Sequence, residues 1–85
     1  MSHEELKQQI SRIVSDSDAV AGRLMATQDT MTKLNRVIAA HVKGSRTGQD
    51  AVAAMQLAIA GMGDAAASMQ VLKRTCNDYI SYLGR

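Results

Sequence analysis

The chain has 85 residues, one cysteine, no proline, phenylalanine or tryptophan, and a net charge of +2. A length this short allows one domain with a small core, and the lone Cys76 excludes an internal disulfide, so oligomerisation is the leading way to add stability. The charge is too small to point to nucleic acid, and no aromatic residues sit among the cations to stack bases.

Ser2 followed by Glu5 is a capping-box pattern, which predicts a helix beginning at His3. From there Leu6, Ile10, Ile13, Ser17, Val20, Leu24, Thr27, Met31, Leu34, Ile38 and His41 follow one another by alternating steps of four and three, and most are apolar. Such spacing keeps one narrow stripe facing a single partner helix. Met1 to Glu5 is polar and acidic, unlike the basic start and apolar middle of a signal peptide. Synthesis in the cytoplasm is therefore expected, with any export by a route that reads no cleavable signal.

Helix one is predicted over about 3–43 and a turn over about 44–48. Gly44 supplies the left-handed residue that ends a helix, Ser45 or Thr47 caps the next, and Asp50 complements its dipole. Lys33, Arg36, Lys43 and Arg46 form a basic cluster here with no acid between Met31 and Gln49. A solvated surface is the favoured reading of that cluster, ahead of a phosphate site.

Helix two is predicted over about 49–83. Its seam runs through Val52, Met55, Ile59, Met62, Ala66, Met69, Lys73, Cys76, Ile80 and Leu83, again by threes and fours. Beside it Ala51, Ala58, Ala65, Leu72 and Tyr79 repeat every seventh position and widen the apolar face. The longest apolar stretch, Ala51 to Ala60, is interrupted by Gln56, so no membrane span is expected. A connection this short forces the two helices antiparallel. The fold class is therefore all-α, a long antiparallel two-helix hairpin, expected to form a four-helix bundle by dimerisation.

Antiparallel register brings Ser17 beside Lys73, and the lysine stem is expected to pass the small serine and reach Asp16. Pairing of Lys73 with nothing is the rival reading, held equal. The residues expected to remain for a partner are Val14, Ala21, Met25, Ala58, Gly61, Ala65, Leu72 and Tyr79. Four of the methionines, Met31, Met55, Met62 and Met69, fall on the seams and read as core, whereas Met25 lies beside its seam.

Chemistry is hard to build from this chain. Nucleophilic catalysis needs Cys76 or a serine near a base, and the register keeps Cys76 from both His3 and His41. Metal-ligand spacing with a third donor is lacking, Asp16 and Asp18 do not face each other on a helix, and Gly44 and Gly48 make no phosphate loop. No enzyme activity, metal or cofactor is expected.

The arrangement resembles the WXG-type small proteins of bacterial type VII secretion, the family of the early secreted antigenic target of mycobacteria. The resemblance covers nearly the whole chain. It lies in the size, the paired long helices and a central turn leading into a helix rich in Ala, Gln and Met. Val42-Lys43-Gly44-Ser45 stands where that family has its Trp-Xaa-Gly segment: Gly44 matches and the tryptophan is replaced. The family's C-terminal tyrosine followed four residues later by an acid is not reproduced, because Leu83 stands at that interval from Tyr79. The resemblance implies a dimer of hairpins, or a pair with a different hairpin, acting in secretion. A partner that binds the helical N-terminal region of an LXG-type toxin is the favoured form. A self-exported homodimer and a structural coiled-coil module are the alternatives.

Overall fold

The computed structural model describes residues 1–84. Helix α1 spans His3–His41 and helix α2 spans Arg46–Leu83, so the chain is an all-α hairpin. Ser2 caps α1, its Oγ accepting the Glu5 N–H at 3.1 Å, which satisfies one of the amides left open at a helix start.

The turn is tighter than the spacing predicts. Helix α1 stops at His41 and α2 begins at Arg46, three residues ahead of the expected start at 49. Gly44 takes φ +81°, a left-handed conformation that side-chain-bearing residues rarely adopt. Ser45 then caps α2, its Oγ accepting the Gly48 N–H at 3.1 Å. Because Ser45 rather than Thr47 is the cap, Asp50 lies beyond the first turn of α2, which holds no acid.

Every residue of the expected α2 seam, from Val52 through Leu83, is buried or half-buried. On α1 the inner stripe differs. Ile10, Ser17, Leu24, Met31 and Ile38 face inward as expected, but their companions are Val14, Ala21, Gln28, Asn35 and Val42. Ile13, Thr27, Leu34 and His41, expected in the seam, are exposed, whereas Leu6 and Val20 on the same edge are half-buried as expected. The contact face of α1 is thus turned by one residue. The physical reason lies across the interface, because Ala21, Gln28 and Asn35 stand level with the bulky Met69, Met62 and Met55, and small or flexible residues leave those thioethers room.

Three cross-helix relationships set the register. Lys73 Nζ lies 3.0 Å from both carboxylate oxygens of Asp18, Gln28 reaches the backbone beside Gly63, and Val42 packs where Gly48 leaves space. Paired residues at one level therefore sum to about 90, the antiparallel register that the turn dictates. Asp18, not the expected Asp16, receives Lys73. Ser17 is buried beneath that level, as the small residue that lets the lysine stem pass. With the inner stripe turned, Asp18 flanks the seam on the lysine's side and Asp16 points away.

The hairpin measures 62 × 17 × 14 Å with a radius of gyration of 18.9 Å, against about 12 Å for a compact domain of this length. Among the described residues, only Ile10, Ala21 and Ala66 are buried apolar ones. Its accessible surface is 6132 Å², roughly 1,200 Å² more than the ~4,900 Å² expected for a compact monomer of this mass.

Candidate protein-interaction surface

The two shoulders of the hairpin differ in chemistry. On one, Asp18, Met25, Thr32 and Ala39 of α1 run beside Gln49, Gln56, Gly63, Gln70 and Asn77 of α2, and this side carries the Asp18–Lys73 pair and the Gln28 contact. It is polar. The opposite shoulder joins the residues that the turned stripe leaves out.

On that opposite shoulder Leu6, Ile13, Val20 and Leu34 from α1 lie alongside Ala51, Ala58, Ala65, Leu72 and Tyr79 from α2. The register places Ile13 level with Tyr79, Val20 with Leu72, and Leu34 with Ala58. Val37 and Tyr82 border the strip, one on each helix. Six of the large exposed apolar residues therefore share this flank: Ile13, Leu34, Val37, Leu72, Tyr79 and Tyr82. The strip is apolar apart from Thr27, which stands between Val20 and Leu34 on the same edge, and an apolar strip of this length marks an interaction site, in contrast to single exposed leucines, which need no explanation. The rings of Tyr79 and Tyr82 are stacked, with centroids 6.1 Å apart and planes 13° from parallel. They form one flat aromatic plate.

The expected partner residues separate accordingly. Ala58, Ala65, Leu72 and Tyr79 lie on the apolar flank, with Gly61 at its border and exposed. Met25 is exposed too, but on the polar shoulder. Ala21 is 1% exposed, so it belongs to the inner seam and is closed to a partner, whereas Val14, on the inner stripe, is half-buried like Val20 and Ala65. Ile13, Val20 and Leu34 supply the α1 side of the flank. The signal that identifies them is their own seven-residue repeat, which reads equally well as seam or as flank.

The basic cluster has no single face. Lys33 pairs with Asp29 at 3.1 Å, one helical turn away, and with Arg36, Lys43 and Arg46 it lies on exposed surface. Cys76 is a half-buried free thiol in the α2 seam. His41 lies on the α1 surface, its Nδ1 2.8 Å from the Val37 carbonyl oxygen. Among the described residues no three His, Cys, Asp or Glu side chains converge as a metal-holding group. A shallow groove by the turn is lined by Ala39, Val42, Lys43, Gln49 and Val52, a set that brings no reactive groups together.

Helix α2 is long and apolar enough to cross a membrane by length and composition, with 6% of its most apolar window buried. This goes beyond the reading that Gln56 interrupts the apolar stretch. In the hairpin, α1 packs along α2, and Gln28 Nε2 donates to the Ile59 carbonyl oxygen. No family model, curated protein or solved structure matches the chain.

Proposed function

We propose that the protein is a non-enzymatic helical adaptor of bacterial type VII secretion, whose apolar flank takes up another helical hairpin or the helical N-terminal region of an LXG-type toxin. The observation that carries the association is the open strip from Leu34 through Ile13, Leu72 and Tyr79. A flank this long and this apolar gains by burial, at about 25 cal/mol for each Å² removed from water. Covering it yields a four-helix bundle, the usual way for two hairpins to bury facing stripes.

The place in secretion rests on the resemblance: a chain of this size folded as two long helices, with a glycine at the central turn. The unmatched tyrosine-acid signal at the C-terminus fits a partner that depends on another chain for recognition. The test is co-expression with small hairpins and with LXG toxin N-terminal regions, followed by size exclusion with light scattering. A co-migrating complex that Leu72→Glu disrupts is expected. A folded chain that engages none of these partners overturns the adaptor reading.

A further inference from the structure

We propose that Met55 is a site of reversible oxidation by peroxide, its sulfoxide held by the buried side-chain amide of Asn35. The proposal concerns the inner seam and is independent of what the apolar flank binds.

One edge of the α2 seam carries sulfur at four successive heptad positions, Met55, Met62, Met69 and Cys76, each half-buried. Thioethers in that setting belong to the packing and stay within reach of a small oxidant. The register gives each sulfur a layer mate on α1. Cys76 stands level with Val14 and Met69 with Ala21, whereas Met62 stands level with Gln28 and Met55 with Asn35. Both amides of the α1 inner stripe therefore fall opposite methionines.

Asn35 is the one that the reduced hairpin does not use. It is 8% exposed, and its Oδ1 is buried with no hydrogen-bond partner among the described residues. Its Nδ2 is not closed off in the same way. Because no bond pins Oδ1, the amide can turn over, which puts the oxygen at the open position and an N–H at the closed one. A thioether is a poor partner for that donor, since its sulfur accepts only weakly. A sulfoxide oxygen is a good one. Gln28 already gives one N–H to the Ile59 carbonyl oxygen, so its layer is satisfied before any oxidation.

The chemistry asks nothing of the chain beyond access. The Met55 sulfur attacks one oxygen of hydrogen peroxide, the S–O bond forms as the O–O bond breaks, and the other oxygen leaves as water with both protons. Sulfur gives up two electrons and the peroxide takes them. Methionine sulfoxide reductases reverse the change. In an apolar layer the new oxygen would be buried without a partner, which is the cost expected at Met69 opposite Ala21. At Met55 it meets an N–H, and a layer with an orphaned amide becomes a satisfied one.

The experiment is urea denaturation of the full chain as wild type, Asn35→Leu, Met55→Leu and the double variant, each before and after hydrogen peroxide. Peptide fragmentation in the mass spectrometer assigns the oxygen to Met55. The remaining methionines are common to all four chains, so their oxidation cancels in the double-mutant cycle. Before oxidation Asn35→Leu is expected to be more stable than wild type. After oxidation the order is expected to reverse, the folding constant of Asn35→Leu falling about tenfold further than that of the wild type. Met55→Leu is expected to abolish the difference, and treatment with methionine sulfoxide reductase to restore the original order. An asparagine with a purely structural role gives no reversal. A second readout needs no variant at position 35 to fold: in the wild-type chain, NMR is expected to show one Asn35 Nδ2 proton moving downfield and exchanging more slowly once Met55 is oxidised.

Equal losses on oxidation in wild type and Asn35→Leu overturn the proposal, as does an Asn35 amide that oxidation leaves unmoved. A folded chain whose Met55 resists a peroxide dose that fully oxidises the exposed Met25 overturns it as well.

Discussion

Gln28 crosses from α1 to α2 over Gly63: its Nε2 donates a 3.0 Å hydrogen bond to the Ile59 carbonyl oxygen, and a Cβ at position 63 would stand 2.7 Å from that nitrogen. The glycine is thus the space the amide needs. A backbone carbonyl already bonded within its helix accepts a second donor here, and the side chain that supplies it locks one level of the hairpin.

Gly63→Ala accordingly trades two effects of similar size. Alanine favours the helix by about 1 kcal/mol, whereas displacing Gln28 forfeits a hydrogen bond with a net worth of about 0.5–1.5 kcal/mol. Gly22, with nothing within 4 Å, shows the first effect alone. Urea denaturation is expected to show Gly22→Ala stabilised by up to about 1 kcal/mol and Gly63→Ala near neutral. In a Gln28→Ala background, Gly63→Ala should regain the full helix benefit. Equal gains at positions 22 and 63 in the wild-type background contradict the proposed role of Gly63.

The turn glycines behave differently from the helix-interior ones. At Gly48 a Cβ would overlap Val42, standing 2.7 Å from its Cγ1, and the atoms met lie next to the backbone rather than at the end of a long chain. Gly44 carries φ +81°. Gly44→Ala is expected to cost about 1–2 kcal/mol for the left-handed backbone, with Gly44→Asn milder because asparagine tolerates that region. Gly48→Ala should destabilise as well, by forcing the Val42 level apart. Thermal melts that leave both variants at the wild-type midpoint would refute this account of the turn.

How far the fold is legible in the sequence is clearest by comparing the two helices. On α2 the polar and small residues at Gln49, Gln56, Gly63, Gln70 and Asn77 border one edge of the seam, so its position is unambiguous. On α1 three adjacent stripes compete: Ile10 to Ile38 at the centre, Ile13 to Leu34 on one edge, and Val14 to Val42 on the other. Hydrophobicity alone favours the first edge, since the second contains Gln28 and Asn35. The packing reverses that choice, because the methionines opposite need small or flexible neighbours. A pattern in one helix cannot report what its partner presents. The same ambiguity misplaces the site, putting Ala21 on the surface and Ile13 and Leu34 in the core. Asp18 takes the lysine in place of Asp16 for the same reason.

The Asp18–Lys73 pair is half exposed, with side-chain exposures of 50% and 36%. An ion pair in that setting is worth at most about 1 kcal/mol and is screened by salt. Asp18→Asn is expected to destabilise the hairpin by less than about 1 kcal/mol at low ionic strength and by less still at high salt. For the isolated hairpin Asp16→Asn should have no comparable effect, so both are compared below the concentration at which chains associate. A larger effect at Asp16 than at Asp18 would refute the register contact.

Asn35 is 8% exposed, and its Oδ1 has no hydrogen-bond partner among the described residues. It stands level with Met55 in an otherwise apolar layer. A buried amide oxygen without a partner costs about 1–3 kcal/mol, and in separate coiled-coil chains such a cost is tolerated because a polar residue fixes the alignment. This hairpin does not need that service. Its alignment is already set by a connection of four residues, 42 to 45, between helices that end at His41 and begin at Arg46. Asn35→Leu should therefore stabilise the fold by about 1 kcal/mol or more without shifting the register. The check is a urea unfolding series with the Asp18–Lys73 salt sensitivity measured in the variant. A gain in stability with that sensitivity retained is expected. A loss of either shows that Asn35 positions the helices after all.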